Sequence, residues 1–435
     1  MKLHKHRTFV GFGLGAIQTG LFLYEAQASG NFARLVVAEV VPDTVRQARD
    51  NQGCVSVNIA HTDHIEAARV GPIEVLNPAV EEDRQSLIEA VAAAQEIATA
   101  VPSVNIYSSP PGPASICQIL AAGLAEKARR GGPRAVIYTA ENHNLAAEIL
   151  QHQVMAAVPE ALQAAVSSQV RFLNTVIGKM SGLISDPAEI QFLGLETMTP
   201  GSQRAFLVEA FNRILITRIQ FDEPGFERGV SAFIEKDDLL PFEEAKLYGH
   251  NATHALGTYL GALLGLKRIA ELSTIPGMLA FLRQAFIAES GAALIWRHQG
   301  IDALFTVSGY AAYADDLLAR MVNPYLYDAV ERVGRDPQRK LGWDDRLVGT
   351  IRLALSAGIR PTRYALGAAA ALVYLDPAFI TDDHGLDDRL RLLWGAGASS
   401  TQAEAVLDLI QAALMHLRRW KAEGGENPAQ LLDFS

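Results

Sequence analysis

The sequence has little cysteine and no excess of positive charge. Cys54 and Cys117 are the only cysteines among 435 residues, too few for a disulfide framework or a cysteine-rich zinc site. The formal net charge is −10, whereas a general nucleic-acid-binding protein needs a basic face. We therefore expect a protein of the reducing cytoplasm that does not bind nucleic acid.

Long hydrophobic runs are also missing. No internal stretch reaches the roughly 18 uninterrupted apolar residues of a membrane span, since the longest candidates are residues 256–266 and 364–375. The 49% hydrophobic and 20% charged residues are typical of an ordinary globular protein. We expect no membrane partner and one to three domains.

The first half of the sequence alternates short β-like runs with helical runs. A β-like run at 8–10, glycines, a helical run at 17–24 and a β-like run at 34–40 follow the order of a βαβ unit. Further β-like runs are predicted at 104–107, 135–139, 170–173 and 213–218. Two alanine-rich helices are predicted at 87–100 and 114–125. This alternation predicts a largely parallel, doubly wound sheet.

Helical periodicity dominates the rest of the chain, after the segment Asp222-Glu223-Pro224-Gly225. Helices are predicted at residues 245–264, 276–289, 303–321 and 401–419. We therefore predict an α/β Rossmann-like doubly wound dinucleotide-binding domain over residues 1–222. A mainly α-helical substrate and catalytic domain is predicted over residues 223–435.

Glycines crowd the segment FVGFGLGAIQTG after the first predicted strand. Two registers resemble a dinucleotide-binding turn, one from Gly11 through Gly13 to Ala16 and one from Gly13 through Gly15 to Gln18. Each match alone is weak. Glu39 supports them, because an acid at the end of the second strand binds the ribose hydroxyls of NAD and repels the 2′-phosphate of NADP. NAD is therefore predicted to contact Gly11, Gly13, Gly15, Gln18 and Glu39; a glycine turn without ligand is the alternative.

The same segment also has the outline of a secretory signal. Lys2, Lys5 and Arg7 precede an apolar stretch that ends in small residues at 26–28. Excision of this stretch would leave the β-like run at 34–40 without its partner strand. The four glycines and Gln18 also make a poor apolar core for a signal. We therefore favour the cofactor turn over the signal.

A polar cluster, Lys246-Leu-Tyr-Gly-His250-Asn251-Ala-Thr-His254, opens the helical domain. On an α-helix at about 100° per residue, His250 and His254 fall within about 80° of Lys246, and Asn251 falls near 140°. Polar groups entering an apolar helix cost desolvation unless they are satisfied or functional. One interpretation is a metal-free alcohol dehydrogenase site, in which burial lowers the pKa of Lys246 so that it accepts a hydroxyl proton. A zinc site on His250 and His254 and a purely structural helix end are the alternatives.

Longer motifs run through both predicted domains. They are FGLGAIQTG, Ala38-Glu39-Val40, Ala140-Glu141-Asn142, Lys246-x4-Asn251-x2-His254, residues 288–292 (AESGA) and residues 323–341. Over roughly residues 8–372 the sequence resembles the polyol-specific long-chain dehydrogenases, and among them the mannitol-1-phosphate 5-dehydrogenases. The resemblance implies a Rossmann domain, a helical C-terminal domain, NAD and no metal. It also implies that Lys246 transfers the proton, that Asn142 and Asn251 stabilise the oxyanion, and that His254 binds the substrate.

Two features bear on the substrate. Residues 174–179 (NTVIGK) depart from the family's Val-Asp-Arg-Ile stretch near the substrate, which makes Lys179 a candidate contact. A basic run comprises Arg332, Arg335, Arg339, Lys340 and Arg346. Guanidinium groups suit phosphate, and the resemblance implies that Arg335, Arg339 and Lys340 hold a sugar phosphate. The alternative is a surface helix whose charge is compensated by Asp328, Glu331 and Asp336.

We therefore predict NAD-dependent, metal-free interconversion of mannitol 1-phosphate and fructose 6-phosphate, or of a close polyol phosphate and its keto-sugar phosphate. The alternative is a dehydrogenase of a non-phosphorylated polyol or sugar acid, of the mannitol 2-dehydrogenase or tagaturonate reductase type. A non-catalytic NAD-binding sensor is a more remote alternative. The expected partner is a small polyol or sugar phosphate, and the expected assembly is a monomer or homodimer.

Overall fold

The computed structural model describes residues 7–222, 225–382, 385–399 and 401–434. The chain divides into two compact units, of which the first ends at Leu240 and the second begins at Pro241. The domain boundary predicted after residue 222 falls beside Glu223 and Pro224, which lie outside the described residues, and it stays a prediction. Lys2 and Lys5 of the proposed signal also lie outside them.

The described residues of the first unit form twelve strands. These are β1 Arg7–Phe12, β2 Phe32–Ala38, β3 Val55–Ala60, β4 Ile65–Val70, β5 Glu74–Leu76, β6 Glu96–Thr99, β7 Ala135–Thr139, β8 Val170–Val176, β9 Ser181–Ile184, β10 Ala205–Glu209, β11 Ile214–Thr217 and β12 Phe233–Lys236.

Eight of these strands form the main sheet, in the order β12-β11-β8-β7-β6-β1-β2-β5. The six strands from β5 to β8 are all parallel. Renumbered in chain order, they follow the order 3-2-1-4-5-6 of a Rossmann fold. β11 extends this sheet antiparallel to β8. The predicted α/β Rossmann-like class of the N-terminal domain is confirmed.

A second sheet, in the order β4-β3-β10-β9, was not predicted. Its strands β3 and β4 form an antiparallel hairpin, and β10 runs parallel to β3. Because its strands come from two distant parts of the chain, residues 55–70 and 181–209, no βα alternation marks this sheet in the sequence.

The α-helices of the first unit are α1 Tyr24–Ser29, α2 Pro42–Asp50, α3 Glu81–Ala93, α4 Ile116–Arg130, α5 Ala146–Ala157, α6 Glu160–Gln169 and α7 Pro187–Leu193. Both faces of the main sheet are buried. Alternate side chains of one strand enter different cores: Phe9 of β1 packs into one cluster and Val10 into another. This is the burial expected of a parallel sheet covered on both faces.

Two predicted elements of the first unit are wrong. Residues Val104–Ser108 form a 3₁₀ helix rather than a strand, begun by Ser103, whose hydroxyl accepts a hydrogen bond from the Asn105 amide. The helix predicted at 87–100 ends at Ala93, and Glu96–Thr99 form the fully buried strand β6. A strand buried on both faces loses the period of two that distinguishes it from a helix.

The second unit is helical, as predicted. Its α-helices are α8 Leu240–Glu244, α9 Ala252–Leu263, α10 Met278–Gln284, α11 Ala292–His298, α12 Val307–Met321, α13 Val330–Gly334, α14 Pro337–Lys340, α15 Val348–Ser356, α16 Thr362–Leu375, α17 Leu386–Trp394, α18 Ala403–Ala422 and α19 Pro428–Leu432. Two π-helical segments, Ala245–Asn251 and Ala285–Gly291, interrupt the α-helical pattern. The core lies around α9, α16 and α18.

One continuous helical run of the described residues, Met278–His298, is long and apolar enough to cross a membrane by length and composition. In its most apolar window, 56% of the residues are buried inside the protein. A buried core helix passes the same test, so this run is weak evidence for a membrane span.

Candidate active site

The glycine turn joins β1 to the first helical run of the first unit. β1 ends at Phe12, and helical residues begin at Ala16. Gly13 has φ +88°, and a Cβ there would lie 2.9 Å from the Ala100 carbonyl oxygen, so this position requires glycine. The amides at the start of the following helix lack intrahelical acceptors and can receive a phosphate. The turn therefore uses the register from Gly13 through Gly15 to Gln18.

Gly11 and Gln18 lie behind this turn rather than on the cofactor side. Gly11 is inside β1, and Gln18 is fully buried in a π-helical segment, Gln18–Leu23. A Cβ on Gly11 would lie 2.2 Å from Nε2 of Gln18. In the usual fingerprint, the third glycine lies in the helix and allows the helix to pack closely on the strand. Here that glycine is Gly11 of the strand, which faces Gln18 of the helix. The prediction that Gly11 and Gln18 contact the cofactor is not supported by this geometry.

Glu39 follows β2 and closes the glycine turn. Its Oε2 accepts a hydrogen bond from the Leu14 amide at 3.0 Å, and its Oε1 accepts one from the Val41 amide at 2.8 Å. Each carboxylate oxygen has a second lone pair for a further donor. Glu39 therefore fixes the turn while keeping acceptor capacity.

A cavity of about 670 Å³ lies at the carboxyl ends of β1, β2, β6 and β7. Its walls include Gly13, Gly15, Glu39 and Asn142, so the fold brings these four predicted site residues together. Ligands of open α/β sheets bind at this edge, and the volume is typical of a ligand pocket. The cavity and the glycine turn fit a dinucleotide.

In the second unit, Lys246 and Asn251 share the π-helical segment Ala245–Asn251. The α-helical angles assumed for this stretch are therefore wrong. A π-helical turn joins residue i to residue i+5, so it brings Asn251 back toward the face of Lys246. His254 follows in α9. These three predicted residues form one local constellation, the Lys246 cluster.

A glycine in each of the two π-helical segments allows close packing around Phe286 and Tyr310. A Cβ on Gly249 would lie 2.4 Å from the Phe286 ring and from the Tyr310 hydroxyl. A Cβ on Gly291, in the other segment, would lie 2.6 Å from the Phe286 carbonyl oxygen and from the Tyr310 ring. The backbone that carries Lys246 is thus packed at Gly249 against Phe286 and Tyr310 without room for a methyl group.

The environment of Lys246 suits proton transfer near neutral pH. Burial lowers its pKa to about 8, and the charge of Arg346 lowers it further, whereas Glu243 acts in the opposite direction. Lysine with an ordinary pKa near 10.4 would be a poor base at pH 7. About one tenth of Lys246 is therefore neutral at pH 7 and about half at pH 8.

His254 is a neutral polar group with unused hydrogen-bonding capacity. Burial lowers its pKa to about 4, which Asp328 partly opposes. Its buried Nε2, like the buried Oδ2 of Asp328, has no hydrogen-bond partner among the described residues. Leaving such atoms unsatisfied costs about 1–3 kcal/mol each. A hydroxyl-bearing ligand can offer the donors and acceptors that these atoms lack.

Comparison with protein families identifies both units. The mannitol dehydrogenase Rossmann domain matches residues 7–225, and the mannitol dehydrogenase C-terminal domain matches residues 238–387. The chain belongs to the mannitol dehydrogenase family. Membership confirms the predicted polyol dehydrogenase that acts on a CH–OH group.

Two solved structures share the fold of this family member. One is Pseudomonas fluorescens mannitol 2-dehydrogenase in ternary complex with NAD and D-mannitol, 18% identical, with a TM-score of 0.70 over 98% of this chain and 94% of that chain. The other is D-sorbitol dehydrogenase in substrate-free form, 14% identical, with a TM-score of 0.74 over 97% and 94%. At these identities the likeness shows the fold.

The basic run is largely paired with acidic residues and backbone carbonyls. Arg332 is ion-paired with Asp328. Arg339 lies 2.8 Å from Asp336 and 3.3 Å from Asp345. The exposed Arg335 donates its Nε–H to the Arg332 carbonyl at 3.0 Å. These contacts favour the charge-compensated surface interpretation, and a phosphate role for Arg335 and Arg339 stays a prediction.

Two predicted substrate contacts have structural partners. The buried Lys340 ammonium donates to the carbonyls of Val333, at 2.5 Å, and Arg335. Lys179, in the first unit, donates to the Glu209 carbonyl, to the Phe211 carbonyl at 3.2 Å and to Oδ1 of Asn212 at 2.6 Å. Since an ammonium has three donors, a substrate contact by Lys179 would require one of these bonds to break.

Three further residues have functional positions. Arg346 acts electrostatically on Lys246 and His254, and Asp328 acts on His254. Arg204 lines the same cavity as Glu39 and donates to the Thr44 hydroxyl at 2.6 Å. Arg346 belongs to the predicted basic run, and Asp328 was predicted as one of its compensating charges. No motif marks Arg204, because the second sheet brings it to the cavity from a distant part of the chain.

The zinc interpretation of His250 and His254 gains no support. Their ring centroids are 6.5 Å apart. Among the described residues, the group of three possible metal ligands found is His61, His64 and Glu66, which does not include either histidine.

Proposed function

We propose that this member of the mannitol dehydrogenase family interconverts a non-phosphorylated polyol and its ketose with NAD. The observation that carries the polyol chemistry is the Lys246 cluster, in which a lysine with a lowered pKa accompanies a neutral histidine with an unpartnered Nε2. In the Pseudomonas fluorescens mannitol 2-dehydrogenase, the bound molecules are NAD and D-mannitol, which supports the same pair here.

When bound, NAD supplies the acceptor for the hydride that leaves the carbinol carbon. Neutral Lys246 accepts the hydroxyl proton, since its pKa of about 8 matches this task. The Asn251 amide donates a hydrogen bond to the developing alkoxide. His254, which is neutral at pH 7, orients a hydroxyl through Nε2. A role for Asn142 in oxyanion stabilisation stays a prediction.

Charge pairing favours a substrate without phosphate. A phosphate site needs cationic donors that are not already neutralised, yet Arg332, Arg339 and Arg346 each have an aspartate partner. Lys340 is used by backbone carbonyls. These contacts support an unphosphorylated substrate in place of the phosphate ester that the resemblance implies.

A substrate comparison tests this proposal. NADH formation should be measured with D-mannitol, D-sorbitol and mannitol 1-phosphate, and NADH consumption with fructose, tagaturonate and fructose 6-phosphate. We expect kcat/KM to be at least tenfold higher for an unphosphorylated polyol and ketose. A higher kcat/KM for the phosphate esters would restore the phosphate interpretation, and a preference for tagaturonate would indicate a sugar-acid reductase.

A further inference from the structure

The β3–β4 hairpin carries two histidines and a glutamate on one face. Its strands pair Ala60 with Ile65, and the His61 amide donates to the His64 carbonyl at 2.9 Å, so the two histidines oppose each other beside the turn. Glu66 lies two residues beyond His64 in β4, and residues two apart in a strand point to the same face. The register therefore directs all three side chains to one side of the sheet.

The three side chains already converge. Nε2 of His61 lies 3.0 Å from Oε2 of Glu66. The two imidazole rings are stacked within 5° of parallel, with centroids 4.5 Å apart, so one ring must turn about its terminal torsion, which is soft, for both lone pairs to point at one ion. One ligand atom from each of the three residues lies within 4.8 Å of the others. All three side chains are partly exposed, so an ion can enter from solvent without rearrangement of the core.

Asp63 supports one of these ligands. Its Oδ1 lies 2.7 Å from Nδ1 of His64. A carboxylate on one ring nitrogen fixes the tautomer and leaves the other nitrogen with a lone pair for a metal, and metal-binding histidines commonly have such a partner. The hairpin thus contains two imidazoles, one carboxylate ligand and a supporting carboxylate.

We propose that His61, His64 and Glu66 bind one divalent transition-metal ion of the Zn²⁺ class. Imidazole nitrogen and carboxylate oxygen are both ligands for Zn²⁺, and a site with three protein ligands leaves a fourth position for water. The bound ion joins β3 to β4 at their turn and so stabilises the hairpin. This site is separate from the Lys246 chemistry, and neither histidine lines the cavity of the glycine turn.

Calorimetric titration of the chelator-treated full chain with ZnCl₂ tests the site. We expect one ion per chain for the unmodified protein. His64→Ala should weaken binding at least tenfold, and Asp63→Asn should weaken it by about 10- to 100-fold, the range seen for residues that orient a metal ligand. His152→Ala is the matched control, because His152 is an exposed histidine of α5 and should leave affinity unchanged.

Folding is checked separately. The melting temperature without metal should be similar for all variants, since the substituted side chains are partly or fully exposed. Added ZnCl₂ should raise the melting temperature of the unmodified protein and of His152→Ala but not of His64→Ala. Absence of zinc binding, or equal affinity in the unmodified protein and His64→Ala, would overturn the proposal.

Discussion

At the residue scale, Lys246 is tuned by two charges of opposite sign. Arg346 lowers its pKa and Glu243 raises it, while burial sets the overall decrease. A base must be neutral to accept a proton, so polyol oxidation should rise as pH increases through about 8. Ketose reduction needs the protonated lysine and should fall over the same interval.

Substitution of these two residues should move the pH profile in opposite directions. Arg346→Gln removes a positive charge, which raises the pKa of Lys246 and moves the oxidation limb to higher pH. Glu243→Gln removes a negative charge and moves the limb to lower pH. Shifts of about half a pKa unit, or about 0.7 kcal/mol, are expected. Profiles of kcat/KM between pH 6 and 10 measure these shifts. If both variants titrate at the same pH as the unmodified enzyme, Lys246 is not the titrating group.

Glu39 should determine the choice between NAD and NADP. Its charge lies in the cavity, where Arg204 also lies. Glu39→Ser removes the repulsion of a 2′-phosphate and leaves the arginine available for it. We expect the ratio of kcat/KM for NAD to that for NADP to fall at least tenfold. The melting temperature shows whether the variant still folds without the hydrogen bonds from the Leu14 and Val41 amides. An unchanged NAD-to-NADP ratio in a folded variant would contradict a role of Glu39 in cofactor choice.

The positions of single residues were predictable where a local pattern expresses them. Gly13, Gly15 and Glu39 follow strands and line the cavity, and Lys246 begins a cluster of polar residues that is continuous in sequence. Gln18 was assigned to the cofactor because it stands at the third position of the glycine fingerprint, and its packing against Gly11 of another element has no local signal. The protein partners of Lys179 are 30 to 33 residues away in sequence and could not be inferred, and a substrate contact by Lys179 stays a prediction.

At the element scale, the π-helical segment Ala245–Asn251 sets the geometry of the Lys246 cluster. Gly249→Ala places a methyl group against Phe286 and Tyr310, and the segment must shift to accept it. A displacement of about 1 Å of the catalytic groups can cost about 100-fold in rate. We expect a loss of kcat of this size, measured by NADH formation, with the affinity for NADH preserved.

A neighbouring glycine offers the control. A Cβ on Gly261 of α9 would lie 3.3 Å from the nearest atom, at the end of the Leu272 side chain. Gly261→Ala should therefore keep most of the activity. Equal activities of Gly249→Ala and Gly261→Ala would mean that the close packing of the π-helical segments does not position Lys246.

Element types were predictable where the hydrophobic period is clear. β1, β2, β7 and the four helical runs predicted in the second unit agree with their patterns. The π-helical turns could not be predicted, because one extra residue per turn changes no composition and little of the apolar period. β6 was read as helix because its neighbours bury both of its faces.

At the scale of the whole molecule, the order of elements was sufficient for the fold class. Alternating strands and helices imply a parallel sheet, and the long helical remainder implies a second helical unit. The second sheet could not be inferred, since its strands β3 and β10 pair across about 150 residues of chain. That pairing also brings Arg204 to the cofactor cavity.

The two units divide the proposed chemistry between them. The glycine turn, Glu39 and the cavity belong to the first unit, and the Lys246 cluster belongs to the second. A substitution at Lys246 should therefore affect turnover without affecting the affinity for the dinucleotide.

Lys246→Ala gives the most direct measurement. Turnover of D-mannitol with NAD and the dissociation constant of NADH, from its fluorescence, should be measured on the same preparation. The account predicts that kcat falls by about 10²- to 10⁴-fold, the contribution of a general base, while the dissociation constant of NADH changes less than about twofold. Turnover equal to that of the unmodified enzyme would contradict it.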